Sequence, residues 1–377
     1  MLPRKNKMKI IYIANFRFPT EKAHGIQIAK MCEAFGKIGV DLELVVPKRG
    51  NYTDPFDFYG IEKNFSIKRI PTLNIFPSLY LGFVFSSFFF GLASFFYVFF
   101  KNRKDIIYSM DLDPISFLFI PFLCKPYFFD LHGPKKKNIF VNFLFKKING
   151  IVTINEAVKK DLLENFNFLK DKIIVCPNGV DLEKNFKGTK EEARKKLDLK
   201  LDKKLVVYTG SFLNWKGIEI IIKSAQNLND VIFCLVGGTE KDIKEKIVLP
   251  QNVKLISRRD FKEMPLWRAA ADILVVTGTK KDKYSFFYTS PMKLFEYMGS
   301  KKPIIASRTP AIEQIVNEQE VFFHEPDDVQ SFVDQVKFVF NNSNLSQKKV
   351  EIAYNKVKIF SWENRARKIL EFIKSKI

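Results

Sequence analysis

Side chains that bind metals or form disulfides are scarce in this sequence. Its 377 residues include four cysteines and three histidines. Cys32, Cys124, Cys176 and Cys234 show no C-x-x-C spacing, so neither a disulfide framework nor a zinc site is expected, and a reducing, cytoplasmic setting fits. No full G-x-G-x-x-G is present, which argues against a dinucleotide enzyme. RRM, zinc-finger and helix-turn-helix signatures are missing too, so nucleic acid is not an expected partner. The first residues, Met1 to Lys9, are basic but lead into a strand pattern, not into an apolar signal segment with a cleavage site.

Negative charge is also in short supply. There are 62 Lys+Arg against 41 Asp+Glu, a net charge of +21 with pI near 9.6. The surplus is spread along the chain, with 26 Lys+Arg against 15 Asp+Glu in residues 1–177. An even surplus describes a broadly basic surface, which attracts phosphorylated ligands or anionic lipid headgroups and argues for peripheral contact with an anionic membrane. Nucleotide bias in a genome produces the same Lys-, Ile-, Asn- and Phe-rich composition. Hydrophobic residues at 46% and charged residues at 27% describe a globular chain with ample core. Its length exceeds what one core sustains, so two domains of similar size are expected.

One long apolar run stands out. Residues 73–100 contain no charge and are rich in phenylalanine, and Lys68, Arg69, Lys101, Arg103 and Lys104 flank them. The run is long enough for a bilayer, which needs about 20 apolar residues. A strand pattern follows at once from Asp105, however, and a span would put neighbouring strands on opposite sides of a membrane. Ser87, Gly91 and Ser94 form a stripe of small residues suited to close packing on a sheet. The segment therefore reads as a buried or membrane-grazing helix.

Periodicity fills in the remainder. A β-run at 9–14, a helical pattern at 26–38 and a β-run at 41–46 give strand, helix, strand, which implies a parallel sheet. The pattern restarts at 205–209 and continues with helix 217–228, strands 231–236 and 253–256, helix 262–271, strand 272–276, helix 291–299 and strand 303–306. Two Rossmann-like halves follow, 1–180 and 181–360, with a ligand cleft expected between them at the carboxyl ends of the strands. A final helix from 361 to 377 is expected to pack back on the first half.

Several loops could carry chemistry. Ser290, Pro291, Met292, Lys293 and Leu294 open a helix with Glu296 further along it. Read blandly, Ser290 is an N-cap, Pro291 holds the first helical position and Glu296 is a solvated carboxylate. Read functionally, the amides of Met292, Lys293 and Leu294 face a diphosphate, and Glu296 accepts hydrogen bonds from a ribose diol. Lys216, in the run Gly210 to Gly217, precedes a helix whose dipole disfavours a cation, and that conflict favours a functional role. Gly25 opens another helix, where a phosphate could approach the backbone closely. His132 follows an apolar strand in the run Asp130-Leu131-His132-Gly133, as a sugar-binding group or as a satisfied turn histidine. Asp111-Leu112-Asp113 has the D-x-D spacing of a metal–diphosphate site, but reads better as a solvated loop.

Taken together, the first loop to Gly25, His132-Gly133, the run at 152–156, Pro177 to Asp181, Gly210 to Gly217, 235–238, 270–272 and Ser290 to Ser307 resemble the retaining glycosyltransferases of family 4, with the GT-B fold. The resemblance implies a metal-independent enzyme with no cofactor, using a nucleoside diphosphate sugar, UDP- or GDP-linked, as donor. It places donor binding in the second domain and a glycan or lipid-linked acceptor in the first. By position, Glu296 would hold the ribose, Lys216 and the amides at 291–294 the diphosphate, His132 the transferred sugar, and Arg258 would flank the base. Two positions depart from the family pattern: Tyr288 stands where a glutamate is usual, and Ser211 where an arginine is usual. Lys280, Lys281 or Lys283 is expected to replace the lost arginine. The alternatives are a catalytically weakened binding or scaffold protein of the same fold, and a sugar-nucleotide epimerase.

Overall fold

Strands buried on both faces set the architecture. In β1 (Lys9–Ile13), Ile10, Ile11, Tyr12 and Ile13 are all fully buried, as a parallel strand covered by helices on either side requires. The computed structural model describes residues 8–50, 53–72, 80–110, 113, 115–243 and 248–377, and the statements below concern those residues. The chain divides into two units, one comprising Met1–Pro177 with Trp362–Ile377 and the other Asn178–Ser361.

The first unit is a seven-stranded parallel sheet ordered β3-β2-β1-β4-β5-β6-β7. Its other strands are β2 (Asp41–Pro47), β3 (Ser66–Ile70), β4 (Ile106–Met110), β5 (Tyr127–Leu131), β6 (Gly150–Thr153) and β7 (Ile173–Val175). Connections run through α1 (Ala23–Lys37), α2 (Pro55–Tyr59), α3 (Tyr80–Phe99), α4 (Ile139–Lys147) and α5 (Glu156–Asn165). Asparagines start two of these helices, Asn138 accepting from the Val141 amide and Asn155 from the Val158 amide, which satisfies donors left open at a helix start.

The second unit is a six-stranded parallel sheet ordered β10-β9-β8-β11-β12-β13. The strands are β8 (Lys204–Thr209), β9 (Val231–Val236), β10 (Val253–Ile256), β11 (Ile273–Val276), β12 (Ile304–Ser307) and β13 (Phe322–His324). Its helices are α6 (Lys190–Lys196), α7 (Glu219–Ala225), α8 (Met264–Ala270), α9 (Met292–Gly299), α10 (Pro310–Glu313), α11 (Val329–Asn341) and α12 (Ser343–Val357). Alternation along β8 sends Leu205 and Val207 into one apolar cluster, with Leu294 and Phe295 of α9, and Val206 and Tyr208 into the other. Two parallel α/β sheets match the sequence expectation; β3, β6, β7 and β13 had no counterpart in it. Helix α7 begins two residues later than expected, because Gly217 takes the left-handed conformation, φ +67°.

Helix α13 (Trp362–Lys374) belongs to the first unit and packs on α1. It buries Trp362, Ala366, Ile369 and Ile373. Gly150, opening β6, leaves room for it: a Cβ there would lie 2.6 Å from the Phe372 ring.

The apolar run of the sequence forms α3, although residues 73–79 lie outside the described residues. One stripe of the helix, Ser87, Phe90, Ser94 and Val98, is fully buried. Gly91 lies on the same side, and a Cβ added to it would stand 2.9 Å from the Ser116 carbonyl oxygen. Small residues therefore let α3 settle closely on the chain that follows β4, and β3 and β4 on either side of it share one sheet.

Candidate active site

In the second unit the sequence-marked residues gather at the carboxyl ends of β8 to β11 and at the start of α9. Gly210, after β8, has φ +133°, and Gly237, after β9, has φ +129°. A Cβ on Gly237 would fall 2.5 Å from the Gly210 carbonyl oxygen, so these two loops touch because Gly237 lacks a side chain. The Tyr208 hydroxyl donates to the Ser211 carbonyl at 3.1 Å, which fixes Ser211 at the turn.

Lys216 closes a 3-10 turn, Asn214–Lys216, and does not open α7. The conflict with the helix dipole that the sequence suggested is therefore absent: a cation at the C-terminal end of a turn is electrostatically favourable. What marks Lys216 is its surroundings. Its Nζ lies 3.7 Å from the centroid of the Trp215 ring, and burial draws the ammonium down to about 8.

Lys293 is the second cation of this site. The sequence pointed to its amide; the structure turns its side chain over Tyr208, with Nζ 3.5 Å from the ring centroid. It lies beside Gly210, where an added Cβ would stand 2.8 Å from Nζ. Burial, reinforced by nearby Lys216, draws this ammonium well below the usual lysine range, and Glu296 opposes that shift. Neither lysine forms an ion pair or hydrogen bond with a described residue. Two half-buried lysines, neither held in an ion pair or hydrogen bond by a described residue, suit a multiply charged anion.

The opening of α9 differs in detail from the sequence reading. Pro291 is the N-cap residue, with ψ 112°, and Ser290 does not cap the helix. Ser290 is buried and instead binds Asn178, whose Nδ2 donates to the Ser290 carbonyl at 2.8 Å. Leu294 N–H is bonded to the Pro291 carbonyl at 2.9 Å, and proline has no N–H. The amides still open to a ligand are thus those of Met292 and Lys293, not the full set 291–294.

Glu296 is not a solvated carboxylate. Arg268 of α8 donates from Nη1 to its Oε2 at 3.1 Å, and Arg268 itself is buried, held by Ser300 and Asn185. The second oxygen, Oε1, accepts from no described residue. This leaves an oriented carboxylate with one free oxygen, suited to a diol. Arg268 escaped sequence reasoning; its only signal was a cation on the apolar face of a helix pattern.

Other positions lie further out. Arg258 follows β10 and is exposed. Tyr288 ends a π-helical segment, Tyr284–Tyr288, with 6% exposure, so an aromatic ring is packed where the family pattern has a carboxylate. Lys280 is exposed and lies 3.9 Å from Glu325, and Lys283 sits 5.8 Å from the Tyr288 ring. Lys293, by contrast, lies directly beside Gly210.

In the first unit, His132 follows β5 and is half-buried. Its Nε2 lies 2.9 Å from Gln27 Nε2 and 3.2 Å from Asp130 Oδ1. Asp130 is fully buried and also meets Tyr108, whose hydroxyl donates at 3.0 Å, and Arg365 of α13. Burial opposes its ionisation, but Arg365 and His132 outweigh this and hold the carboxyl well below the usual carboxylate range. Gln27 and Arg365 carried no sequence signal for this role.

Two expectations in this unit are corrected. Gly25 lies within the first turn of α1, its N–H bonded to the Lys22 carbonyl at 2.9 Å. The space a Cβ would take is filled by Thr20 and Tyr59, at 2.4 and 2.6 Å, so packing within the unit accounts for the glycine without a phosphate. Asp113 is not solvated: it is buried and accepts from Asn15 Nδ2 at 2.8 Å and from the Ser116 amide at 2.8 Å. Asp111 and Leu112 lie outside the described residues. No cluster of three metal-ligating side chains occurs among the described residues.

Comparison with known proteins agrees with the fold of the two units. Residues 25–184 match the model of Glycosyltransferase Family 4 and residues 189–356 that of Glycosyl transferases group 1. The chain belongs to the family 4 glycosyltransferases, with the GT-B fold. It is 21% identical to a D-inositol 3-phosphate glycosyltransferase of Corynebacterium urealyticum over 65% of its own length. The match takes in 61% of that relative, and similar matches take in 58% and 54% of two others, so the chain spans little over half the length of the curated relatives it matches. Among solved structures, a glycosyltransferase of Rickettsia africae superposes with TM-score 0.77 at 18% identity, covering 98% of each chain. Anabaena HepE in complex with UDP-glucose superposes with TM-score 0.76 at 15% identity, covering 98% of this chain and all of that one.

Proposed function

We propose that this protein is a retaining, metal-independent glycosyltransferase that moves a sugar from a UDP- or GDP-linked donor to a glycan or lipid-linked acceptor, in surface polysaccharide or glycoconjugate synthesis. The observation that carries the reading is the pair Lys216 and Lys293, two lysines not held in ion pairs, beside the open amides of α9, with the free oxygen of Glu296 on the same helix. The lysines and amides would take the diphosphate, and Glu296 the ribose. As the sugar–phosphate bond breaks, negative charge grows on the leaving diphosphate, and preorganised cations stabilise that charge without reorganising. The departing phosphate oxygen would then accept the acceptor's proton, so no separate protein base is needed. The likeness to HepE, a structure with UDP-glucose bound, supports a nucleotide-sugar. The second unit would hold the donor and the first the acceptor, near His132. The basic composition supports a cytoplasmic protein in peripheral contact with the inner face of an anionic membrane.

Calorimetric titration with UDP and GDP, followed by a panel of UDP-, GDP- and ADP-sugars scored for slow hydrolysis, tests this. Micromolar binding of one nucleotide, turnover that survives EDTA, and its loss in Glu296→Ala with the fold intact are expected. Unchanged turnover in Glu296→Ala would sink the site assignment. A second reading, a catalytically weakened binding protein, is favoured by the buried Tyr288 and by Ser211. Tight nucleotide binding without hydrolysis of any donor would select it.

A further inference from the structure

The face of α3 turned away from the sheet has no polar residue. Leu81, Phe85, Phe88, Leu92, Phe96 and Phe99 recur at helical spacing along it, and the four phenylalanines are 37 to 59% exposed. A helix on a water-facing surface normally carries polar residues there, and monomeric proteins rarely expose a continuous apolar patch of this kind. The patch continues beyond α3. Phe88 and Phe95 pack on Phe119, at 5.3 and 6.4 Å. Phe119 leads into the turn bearing Phe122, 60% exposed, which stacks on Phe143 of α4 at 5.3 Å. Ile139, at the start of α4, is 92% exposed.

The exposed charge on the stretch of chain that carries the patch has one sign. Residues 80–150 hold nine Lys+Arg, four Asp and no Glu. Asp105, Asp113 and Asp130 are buried, and Asp111 lies outside the described residues. The described surface of this stretch therefore shows cations and no exposed carboxylate. Arg103 and Lys104 follow the end of α3, Lys136 and Lys137 precede α4, and Lys146 and Lys147 end it; all six are exposed. A second copy of the same face would meet these cations with cations. A bilayer carrying anionic headgroups meets both features at once, apolar side chains entering the interface and lysines lying among the headgroups.

We propose that the outward face of α3, with Phe122 and α4 beside it, docks flat on an anionic lipid surface. This rests on the membrane-peripheral part of the functional reading and not on its donor chemistry. Crossing the bilayer is a different matter: the buried stripe of α3 is packed on the protein, and the strands on either side of it belong to one sheet.

The test is flotation of the full chain with vesicles of phosphatidylcholine alone, or of phosphatidylcholine and phosphatidylglycerol in equal parts, at low and high salt. Binding to the anionic vesicles that weakens with salt is expected. The triple substitution Phe85→Gln, Phe96→Gln, Phe99→Gln is expected to weaken it about tenfold or more. The charge variant Lys136→Glu, Lys146→Glu, Lys147→Glu, which leaves the apolar face intact, is expected to lose most low-salt binding and decides the matter if the first variant fails to fold. Wild-type protein that stays with the buffer overturns the proposal, as does a folded triple variant that floats like wild type. A wild-type dimer broken by the phenylalanine substitutions, with no vesicle binding, assigns the face to self-association and also overturns it. Flotation needs no nucleotide, so a chain that floats but binds neither UDP nor GDP overturns the donor reading alone.

Discussion

Arg365 places one guanidinium nitrogen 3.1 Å from each oxygen of Asp130, and both side chains are buried. Removing one partner of a buried ion pair leaves an uncompensated charge, which costs about 3–5 kcal/mol. Arg365→Met is therefore expected to lower the unfolding free energy read by urea denaturation by that order, and a second change, Asp130→Asn, to recover part of the loss. The pH dependence has a definite sign. Asp130 has a folded pKa held below its unfolded value, so its stabilisation is complete above the ordinary carboxylate pKa and disappears only as pH falls below that range. Wild-type stability that declined near neutral pH because of this pair, with Asp130→Asn removing the decline, would contradict it.

Asp130 and Gln27 hold the ring of His132, whose place in the proposed reaction is beside the transferred sugar. His132→Ala is expected to lower kcat by about 100-fold or more while leaving the Kd for free UDP within experimental error, because the nucleotide would bind the other unit. A matching loss of UDP affinity would show that His132 acts elsewhere.

Lys293 and the loop bearing Lys280, Lys281 and Lys283 are rival replacements for the arginine absent at Ser211. Hydrogen bonds to a charged group contribute about 1.5–3 kcal/mol. Lys293→Met is thus expected to weaken UDP binding by about 10- to 100-fold and uridine binding very little. Changing the three loop lysines together to alanine is expected to cost less than Lys293→Met. The reverse order, read by calorimetry, would move the diphosphate contact to the loop.

Nucleotide binding should also draw protons from solution. Burial draws Lys216 down to about 8, and burial with Lys216 draws Lys293 below its usual range. A bound diphosphate favours the charged form of both and raises their pKa values again. Affinity is therefore expected to fall as pH rises through about 8, with net proton uptake visible as buffer-dependent heats of binding. Lys216→Arg, always charged, should reduce that uptake. Heats independent of the buffer would rule the mechanism out.

The sheets were legible in the sequence because parallel strands covered on both faces read as unbroken apolar runs, as in Ile10 to Ile13 and Leu205 to Tyr208. Elements without that contrast were not: β13 is three residues long and lies near the polar turn before α11. Loop residues showed through when their type was unusual, as with Lys216, Gly210 and His132. Their reasons did not always follow, since Gly25 answers to Thr20 and Tyr59, which sequence distance conceals. Partners brought together by the fold were invisible for the same reason. Arg268 reaches Glu296 from another helix, and Arg365 reaches Asp130 across 235 residues of chain.

Helix α13 also bears on the order of events during synthesis. Because Trp362–Ile377 completes the first unit, everything the second unit needs leaves the ribosome before the first unit can close. The second unit can fold while its predecessor waits with α1 uncovered and Asp130 lacking its guanidinium. A nascent chain released before Arg365 would thus carry a finished second unit and an unfinished sheet around His132, a specific target for chaperones or proteases.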